Sequence, residues 1–455
     1  MIYDVLIIGG GITGAGILRD CALRGLKAIL LDKDLPGRAT TAASTHLIHG
    51  GLRYLLYDRL TTHATSWDAG NIVRIARPML TRLPILWPVY SDHRHGIETV
   101  ETLLKSYDYF QRMKEGRPHV RLKAETAADL FPGLRTEGLI GAVAFDEWWV
   151  DAVGLTEKNI RAAENYGAQI RTGTRVKGLM RKDGNTVCGV AAVSESGSTS
   201  EFSAKIVINA SGPWVDEISK MAGVRTDLRL RKGTHLVYDR RLVEHGLLLE
   251  AADRERYIFV VPFKNGTLVG PTDLSSAGTA DELKADESEI RYLLDSVKRY
   301  LPDFPEDYAS TRTGARPILG QTGSEKLLSR EYEIHDHAED GVEGFLTIAG
   351  GKMSDFRLMA KDAVDLACRK IDSKKKCETH CLTLSGERLE NIPAFARPGK
   401  RLKRFMRKNP RLRELYSLAW LGAGLIRHTL SRIFFGTREI SADQFRKHYA
   451  TGEKV

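Results

Sequence analysis

Cysteine is scarce. The chain has five in 455 residues, at 21, 188, 368, 377 and 381. Their odd number and scatter argue against a disulfide framework and fit a reducing cytoplasm. Cys377 and Cys381 read as C-x-x-x-C around His380, but a metal or iron–sulfur site wants more ligands at tighter spacing, so no metal is expected. Long apolar runs are missing too. The nearest, LAWLGAGLI at 418–426, falls short of the roughly 18 residues that suggest a spanning helix. MIYDVLIIGGG runs straight into a glycine motif, so no cleaved apolar leader is expected. The expected place is therefore the cytoplasm, with any membrane contact peripheral, on the inner face. There is no internal repeat, no long low-complexity tract and no nucleic-acid recognition motif, so nucleic acid is not an expected partner.

What is present is length, charge and glycine. A chain of 455 residues calls for two or three domains. Its formal net charge of +10 points to an anionic ligand or an anionic surface. YDVLII at 3–8 reads as a strand buried on both faces. A glycine turn follows, then a helix with Ile17, Cys21 and Leu23 among its apolar positions, then a second strand in LKAILLD at 26–32. That is a βαβ unit opening an α/β domain. Further along, a helix is expected after Asp151 to near Gly167, a hairpin over about 174–208 with SESGST as its turn, and a strand in KIVINASG. Residues 230–275 are strand-rich, with Asn265-Gly266 read as a hairpin turn. FLTIAGGKM and FRLMAKDAVDLACRK return to strand, glycine and helix, and composition shifts near Ser373 to a basic helical segment running to about Phe435.

The strongest chemical signal is GGGITG at 9–14. Gly9, Gly11 and Gly14 form G-x-G-x-x-G after a strand and before a helix, and Asp32 ends the next strand, where it can bond a ribose. The helix start offers free N–H groups and a positive dipole to a pyrophosphate. No second fingerprint supplies a separate nicotinamide site, which favours one bound FAD reduced directly by substrate. TTAASTHLIHGG, NASGPW and AGGKM could add flavin contacts, although each could equally be an ordinary strand-to-helix turn. Arg53, Arg316 and Lys352 stand beside glycine or proline in GGLRY, GARPIL and GGKM. Cations in such turns suit phosphate oxygens, whereas most of the 68 basic residues are solvated surface. His235 in RKGTHLVY could take a hydroxyl proton, against the competing reading of a structural histidine; His49 competes for that role but suits flavin contact better. The basic stretch 397–413, interspersed with Phe405, Met406 and Leu412, fits an anionic bilayer surface, or a helix docked on its own domain.

GGGITGAGILRDCALRG, THLIHGGLRYL, NASGPWV, KGTHLVY, GARPIL and GGKMSDFRLMA occur in this order. Together they resemble the FAD-dependent glycerol-3-phosphate dehydrogenases within the D-amino-acid-oxidase-like flavoproteins, over roughly residues 1–372. The stretch from HAEDGVEGFLTIAGGKM onward is similar to the catalytic A subunit of the anaerobic enzyme. The resemblance implies non-covalent FAD and oxidation of sn-glycerol 3-phosphate to dihydroxyacetone phosphate. Hydride would go to flavin N5, and electrons onward to a quinone or a partner subunit. It places Arg53, Tyr54, Arg316 and Lys352 on the substrate, with His235 and Arg316 as catalytic residues. It places Gly9, Gly10, Gly11, Thr13, Gly14, Asp32 and Lys33 on the flavin. Thr41, Ser44, Thr45, His49 and Gly50 join them, as do Val176, Ala210, Gly212, Gly351, Lys352 and Met353.

The fold class expected is α/β: a Rossmann-like FAD-binding domain with an inserted, mainly antiparallel substrate sheet and a short helical C-terminal extension. The expected boundaries are 1–80, 151–225 and 336–372 for the FAD domain, 81–150 and 226–335 for the cap and substrate region, and 373–455 for the basic extension. The chain departs from the family at His46 (often lysine), at GPTD in 270–273 (usually G-T-T-D) and at GGKMSDFR (often G-G-K-L-T-T-Y-R), where Asp355 adds an acid near the substrate lysine. With five scattered cysteines, no counterpart of the cysteine-rich module of the anaerobic enzyme's catalytic chain is expected in this sequence. Two alternatives stay open: a flavin enzyme acting on another small hydroxy or amino acid anion, and a flavin-bearing subunit that needs a partner. A homo-oligomer is compatible with all three.

Overall fold

The structure is a computed structural model, and it describes residues 1–275, 279–319, 331–395, 399–435 and 439–449. Residues 397 and 398 of the basic stretch lie outside the described residues.

The opening apolar run forms the strand Ile2–Ile8, with Val5, Leu6 and Ile7 fully buried. It lies inside a sheet of order 332–336, 345–350, 199–209, 2–8, 28–31 and 169–171. The pairs from Phe345–Gly350 across to Gln169–Arg171 are parallel, and Tyr332–Asp336 adds an antiparallel edge. Strand Ile2–Ile8 has Ala28–Leu31 on one side and the much later Thr199–Asn209 on the other. Strand order therefore reverses at its C-terminal end, where the glycine loop sits, and such switch points form ligand crevices. The helices Ile12–Leu23, Ala152–Glu164 and Phe356–Lys370 cover one face, burying Ile17, Ile160, Ala360 and Val364 against the sheet. Gly16 permits this packing, since a Cβ there would lie 2.9 Å from the Phe356 ring.

The second sheet is mainly antiparallel, in the order 274–275, 228–238, 266–270, 257–263, 246–250, 80–90, 139–150 and 47–48. Ser310–Leu319 pairs with Leu228–Tyr238, and Val120–Lys123 pairs with Leu139–Val150. The sheet thus joins strands from both sides of the first sheet's later segments.

Two sequence expectations shift. The segment expected to be one hairpin is a three-strand meander, Thr174–Lys182, Thr186–Ser194 and Thr199–Asn209, because Asp183-Gly184 turns the chain first with positive φ at both residues. The hairpin placed at Asn265-Gly266 closes one residue earlier: Phe263 pairs with Gly266, so Lys264 and Asn265 form the turn. Gly266 is a strand residue whose missing side chain makes room for a neighbour, since a Cβ there would meet the Tyr238 carbonyl at 1.9 Å.

The C-terminal segment forms the helices Lys400–Lys408, Pro410–Phe435 and Ala442–Tyr449. The second is held by its inner face. Arg413 lies 3.4 Å from buried Asp58, Ser417 Oγ accepts the Arg59 N–H at 2.9 Å, and Trp420 stacks on the Arg59 guanidinium at 4.6 Å. Its outer face leaves Leu415, Ile426 and Ile433 exposed. No helix among the described residues is long and apolar enough to cross a membrane.

Candidate active site

A cavity of about 970 Å³ lies between the two sheets. One end is the glycine loop. Gly9 has φ +105°, and a Cβ on it would meet the Ala210 carbonyl oxygen at 2.7 Å. Gly14 packs closer still, its Cβ position falling 1.9 Å from the Gly9 carbonyl oxygen, so the loop and helix start tolerate no side chain there. The helix Ile12–Leu23 has no side-chain cap at Gly11, and Gly11, Ile12 and Thr13 line the cavity. Thr41 Oγ1 accepts the Ile12 N–H at 3.2 Å. Asp32 lines the same end, its carboxylate accepting the Gly10 N–H through Oδ2 and the Asp34 N–H at 2.8 Å through Oδ1. Burial pushes its pKa up, while those N–H donors oppose the rise. Lys33 is drawn aside by Asp281 at 2.7 Å and by the Trp214 ring at 3.7 Å. An uncapped helix start, a glycine floor and an acid at the next strand's end suit the ADP half of a dinucleotide. Val176, Ala210 and Gly212 continue the wall, with Gly212 at φ +59°.

The middle of the cavity is formed by two turns that meet. Ser44, Thr45, His49 and Gly51 line it from one turn, and Gly351, Lys352 and Met353 from the other. The His49 N–H donates to Ser354 Oγ at 2.9 Å, tying the turns together. Gly10, Gly14 and Gly50 are not in the cavity wall; they lie behind it as packing positions, and a Cβ on Gly50 would meet the Tyr107 hydroxyl at 2.4 Å.

The far end carries Arg53, Tyr54, His235, Arg316 and Lys352. Arg53 follows Gly51, which has φ 79°, and its side chain is exposed at the rim. Tyr54 is buried and carries the Lys352 ammonium over its ring at 4.5 Å. Lys352 Nζ also donates to Thr65 Oγ1 at 2.8 Å and lies 3.7 Å from Asp355. Burial raises the Asp355 pKa, and Lys352 works against that rise. Arg316 donates to Asp273 Oδ1 at 3.0 Å and to the Thr272 carbonyl at 2.9 Å. His235 is 2% exposed. Its Nε2 is 3.1 Å from Thr45 Oγ1, and its Nδ1 has no hydrogen-bond partner among the described residues. Burial first, then the Arg316 guanidinium, holds the ring well below its ordinary pKa, so it is neutral at pH 7.

Every substrate-side residue expected from the sequence thus lines one cavity. His46 lines it as well but is committed elsewhere, with Nδ1 accepting the Ala152 N–H at 3.1 Å and Nε2 at 3.2 Å from the Ala42 carbonyl. Sequence reasoning missed Thr65, Asp273, Ser354 and Glu414, the last brought to the wall by the helix Pro410–Phe435. Asp273 had a signal, standing in the GPTD turn; Thr65 lies mid-helix in Arg59–Ile75 with none.

Comparison with known proteins agrees with this geometry. Residues 4–354 match the family described as FAD dependent oxidoreductase. The chain is 33% identical over 398 residues to the aerobic glycerol-3-phosphate dehydrogenase of Staphylococcus saprophyticus, covering 84% of this chain and 71% of that protein. It is 32% identical over 395 residues to the A subunit of the anaerobic glycerol-3-phosphate dehydrogenase of Escherichia coli, covering 84% and 70%. Among solved structures, the Bacillus halodurans glycerol-3-phosphate dehydrogenase complexed with FAD aligns with a TM-score of 0.67 at 24% identity, covering 98% of this chain and 86% of that one. The L-alpha-glycerophosphate oxidase of Mycoplasma pneumoniae, with FAD bound, aligns with a TM-score of 0.64 at 18% identity, covering 86% and 100%. Fingerprint, uncapped helix start and sequence relationship agree: the chain is a member of the FAD-dependent oxidoreductase family that includes the glycerol-3-phosphate dehydrogenases.

Proposed function

We propose that this chain oxidises sn-glycerol 3-phosphate to dihydroxyacetone phosphate. The observation that carries the reading is the grouping of Arg53, Arg316 and Lys352 with a buried, neutral His235 in one cavity that continues to the glycine loop. Three cations from separate segments suit a small dianion better than a neutral alcohol. The glycine loop, Asp32 and the uncapped helix would hold the ADP half of FAD, and the turns at 49–51 and 350–353 would hold its ring. When bound, FAD supplies the two-electron acceptor chemistry.

The protein's own task is to place the substrate and take one proton. Arg316, on the strand Ser310–Leu319, and Lys352, in the turn after Phe345–Gly350, fix the phosphate, and Arg53 closes on it from the rim. His235 lines the cavity and is neutral, so in this reading its imidazole offers a ring-nitrogen lone pair for the substrate's hydroxyl proton. The depressed pKa keeps that lone pair available at neutral and mildly acid pH.

A quinone is the onward acceptor in this reading, reached from a peripheral position on an anionic bilayer. The exposed apolar outer face of Pro410–Phe435, next to the basic helix Lys400–Lys408, supports that placement.

Anaerobic titration of the purified flavoprotein with sn-glycerol 3-phosphate, followed by flavin absorbance, tests the substrate. Stoichiometric bleaching is expected. A yellow protein that stays oxidised would refute the substrate while leaving the family intact.

A further inference from the structure

The arginine at the far end of the cavity is held by a device that the reaction does not itself require. Arg316 stands directly opposite Arg231 in the pairing of Ser310–Leu319 with Leu228–Tyr238, and Gly233 stands opposite Gly314. The Arg316 guanidinium bends across the neighbouring strand at Gly233. A Cβ on Gly233 would lie 2.3 Å from Arg316 Nη2 and 2.8 Å from its Cζ, so any side chain at 233 would evict it. On the other side stands the turn that follows Gly270. Asp273 Oδ1 accepts from Arg316 Nη1 at 3.0 Å, and the Thr272 carbonyl accepts from Nη2 at 2.9 Å.

The same Asp273 oxygen accepts from Arg231 Nε at 2.7 Å, and the Asp273 carbonyl accepts from Arg231 Nη2 at 2.9 Å. Arg231 is buried and is not part of the cavity wall. The turn is itself anchored. Thr272 Oγ1 donates to Glu289 Oε1 at 2.6 Å and accepts the Thr234 N–H at 2.8 Å, and Glu289 is 2% exposed.

A carboxylate beside an anion-binding arginine has two opposing effects. Its charge repels the incoming anion. Its hydrogen bond fixes a long side chain whose rotamer freedom would otherwise be lost on binding. We propose that Asp273, with Gly233 as the open floor, is a positioning residue for the substrate anion: it holds Arg316 in place, and Arg231 secures Asp273 from behind. The proposal rests on the reading of Arg316 as a substrate-binding cation.

The two effects predict opposite signs, which makes the test decisive. FAD-loaded wild type, Asp273→Asn, Gly233→Ala, Arg316→Met and the Asp273→Asn/Arg316→Met double variant are compared. The dissociation constant for sn-glycerol 3-phosphate is taken from anaerobic flavin reduction, and that for inorganic phosphate from the flavin difference spectrum. FAD content and Tm are recorded for each. Positioning predicts that Asp273→Asn weakens both ligands by about 10- to 30-fold at unchanged FAD content. Gly233→Ala, which leaves the charge unaltered and does not depend on Asp273→Asn folding, should weaken them alike. The double variant should be no weaker than Arg316→Met alone, because the two residues act as one unit. Unchanged or tighter phosphate binding in Asp273→Asn overturns the proposal, as does additive loss in the double variant. If wild type binds phosphate but is not reduced by sn-glycerol 3-phosphate, the substrate reading fails and the phosphate series still decides the role of Asp273. If wild type binds neither, both readings fall.

Discussion

The imidazole of His235 and the hydroxyl of Thr45 stand 3.1 Å apart, joining a strand of the second sheet to the loop that leads into the HGG turn. If His235 is the base of the proposed reaction, its titration sets the acid limb of the rate profile. Burial, and then Arg316, His46 and Arg312, hold the His235 pKa well below its ordinary value of 6.5. A base must be neutral to act, so activity is lost as pH falls through the pKa of the free enzyme. The acid limb of kcat/KM is therefore expected below pH 6.5. Arg316→Met removes a positive neighbour and should move the limb to higher pH. His235→Asn should lose about 100-fold or more in the rate of flavin reduction at normal FAD content. A limb that stays put in Arg316→Met would separate His235 from that charge.

At the other end, Asp32 is predicted to govern cofactor retention rather than turnover. Its carboxylate takes the Gly10 and Asp34 N–H groups and so fixes the loop that a pyrophosphate must approach. Asp32→Ala removes bonds to a charged acceptor, each worth about 2 kcal/mol, or roughly 30-fold in FAD affinity. Gly14→Ala should be worse, because its Cβ position lies 1.9 Å from the Gly9 carbonyl oxygen and that atom is backbone. The ratio of flavin to protein absorbance after gel filtration reports both. Full retention in either variant would refute the assignment of this loop.

The dinucleotide end was legible in the sequence because its parts are close in the chain: a strand, three glycines and an acid. The substrate end was half legible. Arg53, Arg316 and Lys352 each stood in an unusual local setting, and all three line the cavity. Their partners were hidden because sheet register and helix packing set them. Thr65 meets Lys352 only because the helix Arg59–Ile75 packs on the segment before Phe356, and Asp273 meets Arg231 and Arg316 only through the pairing of two distant strands. The Asn265-Gly266 turn was displaced for a related reason: the fold uses Gly266 for its lack of a side chain beside Tyr238. His46 and Asp355, both departures from the family pattern, find local partners in the Ala42 and Ala152 backbone and in the start of the 353–355 turn.

Lys352 has two roles that mutation can separate. It faces the cavity, and it lies 3.7 Å from Asp355, with both side chains under a tenth exposed. Lys352→Met should raise KM for the substrate by roughly 30-fold, for a lost charge-assisted bond of about 2 kcal/mol. It should also cost about 3 kcal/mol of stability by leaving a buried carboxylate without its neighbour. The Lys352→Met/Asp355→Asn double variant should recover most of the Tm and none of the KM. Thermal unfolding and steady-state kinetics with a dye acceptor check both. Recovery of KM along with Tm would make Lys352 structural only.

The outer face of the helix Pro410–Phe435 is predicted to bind lipid. Leu415, Ile426 and Ile433 are at least 60% exposed and recur at roughly three and two turns of helix, which places them on one line. Leu412, Leu418, Leu425 and Leu430 flank that line and are exposed as well, while the inner face is held by Asp58 and Arg59 through Arg413 and Trp420. The stripe can therefore meet a bilayer without leaving the fold. Changing Leu415, Ile426 and Ile433 to Ser removes apolar area that is mostly exposed among the described residues, so Tm and flavin reduction should hold while sedimentation with anionic vesicles is lost. The basic residues beside the stripe add an electrostatic share, so wild-type binding should weaken as salt rises, to a plateau set by the apolar face. Equal binding by the triple variant would assign any lipid affinity to charge alone. A fall in Tm would show instead that the stripe packs on protein.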